Sequence, residues 1–242
     1  MGGFIVDQPL PAGSVDMIDP FLLIHHASSK YTAGSNEKNL GVGPHPHRGF
    51  SPVTFVFQGE VHHRDSRGNS SIVQAGGTQW MHSGMGIVHS ERPSKSLADQ
   101  GGIMEIIQFW INVPGKNKMV APEYIPLTAG QTPTYFLGDD TSNIQVIAGE
   151  YEGIKGPIPT YTPLLILRLN LEKGAEIHVP IPEEYNCLVY QLDGGLLYND
   201  TTETSRKQLA WFDSDGQQIG IKSMEDTRAI LLAVAPIDEK VV

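Results

Sequence analysis

His45-Pro46-His47-Arg48-Gly49-Phe50 and, downstream, Ile87-Val88-His89-Ser90-Glu91 are the two stretches from which the rest of the chain is read. Each carries two metal-capable side chains at i and i+2. Side chains alternate faces along an extended strand, so this spacing sets both members of a pair on one face. Pro46 has no N–H to donate, which suits a strand edge or end, and it biases His45 towards an extended backbone. If the two strands are neighbours in a barrel, His45, His47, His89 and Glu91 converge on one interior point. Three imidazoles and a carboxylate suit one divalent metal ion, with positions left open for water or substrate. Iron is the expected ion, and zinc, nickel, copper or manganese accept the same donors.

Around these stretches, short apolar runs alternate with glycine turns. Val53, Phe55 and Phe57 alternate, and Gln58-Gly59-Glu60 turns the chain into Val61-His62-His63. Arg67-Gly68-Asn69 and Ala75-Gly76-Gly77 reverse it again before Gln79-Trp80-Met81, and Met104 to Asn112 closes the half. Such spacing of strands and turns predicts a sandwich or barrel. Upstream, Asp19-Pro20 leads into a strand from Phe21 to His26, and the polar residues 27–39 are expected to form a loop. His25 and His26 are adjacent, so on a strand they cannot both reach one site. Residues 114–160, rich in Pro, Gly, Thr and Asn, are expected to cover the first half and lead into a second, with a strand at Ile144–Ile147.

The strand pattern then resumes, with Leu165, Leu167, Leu169 and Leu171 alternating and a second apolar run from Leu188 to Leu192. Here the chain repeats itself. Phe57-Gln58-Gly59-Glu60-Val61 lies on Leu192-Asp193-Gly194-Gly195-Leu196, Val53 on Leu188 and Phe55 on Tyr190. The same alignment lays His45 on Pro180 and His47 on Pro182. The expectation is all-β: two barrels of one design, residues 1–125 holding metal and residues 126–242 not.

Composition narrows the classes. The chain of 242 residues is 40% hydrophobic with 26 Gly and 17 Pro, which suits a turn-rich β protein. A formal net charge of −10 repels phosphate backbones, so direct nucleic-acid binding is not expected. Cys187 is the only cysteine and permits no internal disulfide. No signal peptide and no membrane span is read, so the expected location is cytoplasmic, with the nucleus open to a eukaryotic protein. Gly84-Met85-Gly86 lacks the strand-then-helix setting of a dinucleotide loop.

Gly-x-His-Pro-His-Arg-Gly-Phe, the Gln79-Trp80-Met81 strand, Gly86-Ile87-Val88-His89-Ser90-Glu91 and Gln108-Phe109-Trp110-Ile111-Asn112 together resemble the pirin family of bicupins. The likeness runs from about Asp19 to about Pro236. The resemblance implies a tandem cupin fold, two double-stranded β-helix (jelly-roll) barrels, with one iron in the first and His45, His47, His89 and Glu91 as its ligands. It also implies quercetin 2,3-dioxygenase activity and, for some members, transcriptional co-regulation. Ser51 stands where relatives place a Glu, four residues after the second His, and longer members continue past the position of Val242.

The expected partners follow. A flavonol-like enolate and dioxygen are the expected reactants, with Glu91 both ligand and proton acceptor. Phe50, Trp80, Met81 and Trp110 are candidates for the cavity wall, each with a place in the core as the alternative. His63 is a candidate for the pocket or a structural histidine, Arg48 for an anion contact or a turn, and His82 is expected at the surface. The competing functions are a metal- or redox-sensing protein that regulates a transcription factor or metabolic enzyme, and a metal-stabilised scaffold. Because one chain already pairs two barrels, a monomer is expected.

Overall fold

A computed structural model describes residues 5–138 and 141–241. It divides into two compact units, Met1–Gln131 with Glu239–Val242, and Thr132–Asp238. Both are antiparallel β structures, and no helix among the described residues is long and apolar enough to cross a membrane.

In the first unit the strands are β1 (Ile5–Leu10), β2 (Phe21–Tyr31), β3 (Val42–His47), β4 (Phe50–Gln58), β5 (Glu60–Asp65), β6 (Ser70–Gln74), β7 (Thr78–His82), β8 (Ile87–Pro93), β9 (Gly102–Asn112) and β10 (Glu123–Leu127). They form two sheets, ordered β1-β2-β9-β4-β7-β10 and β3-β8-β5-β6. Ala27, Val56, Val61, Val73, Leu97, Met104 and Ile106 join the sheets through an apolar cluster. Leu97 comes from the short helix α1 (Lys95–Gln100), whose first turn is capped by Ser94 accepting from the Leu97 N–H at 3.0 Å.

The second unit contains β11 (Thr134–Phe136), β12 (Asn143–Ala148), β13 (Glu150–Tyr151), β14 (Ile154–Lys155), β15 (Leu164–Leu171), β16 (Glu176–Pro180), β17 (Asn186–Asp193), β18 (Gly195–Tyr198), β19 (Thr202–Ser205), β20 (Leu209–Phe212), β21 (Gln218–Ser223) and β22 (Thr227–Val234). Its sheets run β11-β12-β15-β22-β17-β20 and β16-β21-β18-β19, beside the hairpin β13-β14. The run β15-β22-β17-β20 repeats the order β2-β9-β4-β7, and β16-β21-β18-β19 repeats β3-β8-β5-β6. Gly59 and Gly194, matched in the repeat, occupy the same turn with φ of +71° and +79°. At Gly59 a Cβ would also come within 2.5 Å of the Ile103 carbonyl oxygen, so no other residue fits there without a shift.

The repeat diverges where chemistry matters. On β16 and β21, Val179 stands opposite Ile219 and Ile177 opposite Ile221, and all four belong to the buried core. On the equivalent β3 and β8, His45 stands opposite His89. Cys187 is buried in the second core, and burial pushes its thiol up to about 12, so it is an inert apolar filler.

Two local expectations are corrected. Residues 27–31 are not loop: β2 runs on to Tyr31 because Ala27 to Tyr31 pair with Ile106 to Gly102 of β9. The first unit also extends beyond residue 125, since β10 pairs with β7 through Leu127 opposite Thr78.

Candidate metal centre

β3 and β8 are neighbours, antiparallel, with His45 paired to His89. His47 shares the His45 face by the two-residue period, and the three rings stand with centroids 4.8, 4.4 and 4.9 Å apart. Among the described residues they form a group whose ligand atoms all lie within 4.8 Å of one another. Their nitrogens are prepared for a cation. The Gly43 carbonyl accepts from His45 Nδ1 at 2.8 Å, which places a ring proton there and turns Nε2 to the donor role towards a cation. Nε2 of His47 and of His89 are buried without any hydrogen-bond partner. Burial, strengthened by the neighbouring imidazoles, lowers His47 to about 4 against a weaker opposing pull from Glu91. Burial and the His45 and His63 rings lower His89 to about 3, with Asp65 opposing. Both rings are therefore neutral at pH 7, the form that binds metal. The donor set fits a divalent ion.

Glu91 faces the same cavity yet lies outside that three-residue group. Its Oε1 accepts from Thr54 Oγ1 at 3.0 Å and from Gln79 Nε2, and its Oε2 accepts from Gln108 Nε2 at 2.8 Å. These donors come from the facing sheet, where Gln79, Thr54 and Gln108 pair in one row across β7, β4 and β9. Trp110 Nε1 donates to Gln108 Oε1 at 3.0 Å and Tyr124 Oη to Gln79 Oε1 at 3.2 Å, so each amide turns its NH2 towards the carboxylate.

Behind His89 lies a second chain of contacts. His63 Nδ1 is 3.3 Å from His89 Nδ1, and His63 Nε2 is 3.0 Å from Asp65 Oδ2. Asp65 also accepts from the Arg67 and Asn69 backbone N–H groups at 2.9 and 3.1 Å, and from Asn69 Nδ2 at 2.7 Å. Burial works to raise the Asp65 carboxyl, and these bonds outweigh it and hold it below its usual value. The Tyr124 ring stacks flat on His63, centroids 3.7 Å apart.

His45 and His47 open onto a cavity of about 470 Å³, and His89 lies just outside its lining. Arg48, Phe50 and Trp110 line it, with Val6, His25, Ala27, Val42, Met104 and Ile106 supplying most of the remaining wall. Phe50 and Trp110 lie ring against ring at 4.6 Å. Three residues expected at this wall are elsewhere. Trp80 follows Gln79 and so projects from the opposite face of β7, buried at 2% exposure. Met81 is buried outside the cavity lining, opposite Tyr124. His63 is held behind His89 by Asp65. His82, expected at the surface, is buried and lies 3.0 Å from Ser51 Oγ. Ser51 alternates with Phe50 and Thr54 has the parity of Phe50, so Ser51 points away from the imidazoles. Sequence reasoning missed Thr54, Gln108 and Asp65 as partners of the site. Gln79 and Gln108 sit inside the quoted motifs, but only sheet register shows them in one row.

Two cupin barrels in one chain, the first carrying a histidine triad and the second carrying Ile177, Val179, Ile219 and Ile221 on the equivalent strands, define a bicupin. The Pirin family model matches residues 3–111, and that of the Pirin C-terminal cupin domain matches residues 166–242. The chain belongs to the pirin family. It is 35% identical over 225 residues to a Pseudomonas aeruginosa protein provisionally named a quercetin 2,3-dioxygenase, covering 93% of this chain and 78% of that one. The crystal structure of quercetin 2,3-dioxygenase from Acinetobacter baumannii superposes with a TM-score of 0.87 at 36% identity, over 92% of this chain and 77% of that one. The Escherichia coli pirin YhhW, solved in complex with nickel(II), shares the fold with a TM-score of 0.76 at 22% identity, over 98% and 93% of the two chains.

Proposed function

We propose that this protein is a metal-dependent dioxygenase that opens a flavonol ring, the reaction type of quercetin 2,3-dioxygenase. One observation carries the reading: the His45 and His47 imidazoles and a multiply bonded carboxylate share one largely apolar cavity of about 470 Å³, a size and lining suited to a small aromatic ligand. His45, His47 and His89 would hold one divalent ion, iron in this proposal, with Glu91 as the fourth donor. Bound there, the ion supplies redox chemistry towards dioxygen and favours the deprotonated form of a substrate hydroxyl.

The remaining work falls to the chain. Glu91 accepts the hydroxyl proton, and Thr54, Gln79 and Gln108 hold its oxygens in place for that transfer. Phe50 and Trp110 offer aromatic faces to the flavonol rings. Arg48 brings a positive charge to the rim, where it meets the enolate. The test is oxygen uptake with quercetin by protein loaded with Fe(II). Turnover is expected in the native chain and abolished in H45A and H89A; undiminished turnover in both variants would overturn the assignment.

A further inference from the structure

We infer that Asp65 and His63 are positioning residues that set which nitrogen of His89 faces the cation site. The inference rests on the metal-site reading above and goes beyond it to the orientation of one donor. It follows from hydrogen-bond direction. The Asp65 side chain is shielded from solvent, its carboxyl lies below the usual range, and it already accepts from two backbone N–H groups and from Asn69. A carboxylate so placed only accepts, so His63 carries its proton on Nε2, 3.0 Å away. The His63 ring, with its one proton on Nε2, presents a lone pair at Nδ1, and the group opposite it at 3.3 Å, His89 Nδ1, is then the donor. With its proton on Nδ1, His89 turns a bare Nε2 inward, and that atom is the one left buried and without a partner.

Every link in this chain is held. His63 is wholly buried and stacked on Tyr124 at an interplanar angle of 3°, so its ring does not tumble. Asp65 lies opposite His89, and His63 opposite Glu91, on the paired strands β5 and β8, which fixes the spacing. Metal-binding histidines are commonly oriented through their second nitrogen, but usually by a carboxylate or carbonyl directly. Here a histidine is interposed, and Asp65 acts on His89 through it.

Two measurements test this. In metal-free native protein, long-range proton–nitrogen correlation spectra of the imidazoles should show His89 protonated at Nδ1 and His63 at Nε2. The reverse assignment for His89 overturns the inference. The D65N variant keeps an oxygen for the Arg67 and Asn69 backbone bonds but turns an NH2 to His63. It should move the His89 proton towards Nε2 and weaken zinc binding, read by competition with a chromophoric chelator, by about 10–100-fold. Zinc affinity within twofold of native, in D65N with a native circular dichroism spectrum, also overturns it. If D65N does not fold, the native spectra still decide. Native protein with these tautomers that binds neither zinc nor iron supports the orientation of His89 while refuting the metal-site reading.

Discussion

His45 and His89 stand directly opposite one another on adjacent antiparallel strands, ring centroids 4.4 Å apart, although 44 positions of chain numbering separate them. The pairing adds His89 to the His45–His47 dyad, because facing residues of an antiparallel pair project from the same side. Gly41 reinforces it from the flank: it adopts φ of +68° and lies so close to the Glu91 backbone that a Cβ there would meet its carbonyl oxygen at 2.5 Å.

The row of donors around Glu91 makes the carboxylate a separate test of mechanism. In E91Q the amide keeps the shape and one acceptor but cannot take up a proton. Turnover with quercetin should fall by about 10²–10⁴-fold, the range typical of a lost general base. Zinc content should fall much less than in H89A, since the three imidazoles remain. Steady-state kinetics and elemental analysis read the two effects separately.

Acid should destabilise the metal-free protein through the triad. The ordinary imidazole value of 6.5 holds in the unfolded chain, against about 4 for His47 and about 3 for His89 when folded. Below pH 6.5 the unfolded state therefore binds more protons, and stability falls as pH drops towards 3. Urea midpoints measured at pH 7, 5 and 4 should decline in that order for native protein. A H47N/H89N variant should decline less steeply.

The second unit should answer to packing alone. Leu231 is fully buried in its apolar core. L231A should cost about 2–5 kcal/mol by cavity formation and lost transfer energy. Denaturant unfolding measures the loss, and the zinc affinity of the folded protein should match native within twofold, because the site lies wholly in the first unit.

Much was legible in the chain itself. Period-two alternation and glycine turns determined the strands, the repeat determined two barrels of one order, and the dyad spacing put His45 beside His47 on one face. These are local properties: a strand's two faces follow from its own backbone whatever it pairs with. What only the tertiary structure decided was register. It placed Thr54 between Gln79 and Gln108 and turned all three on Glu91. It set His63 behind His89 instead of in the cavity, and it sent Trp80 to the far face while Gln79, its neighbour, met the carboxylate. Cross-strand partners are fixed by contacts between residues distant in the chain, and a shift of one position exchanges every inward side chain for an outward one.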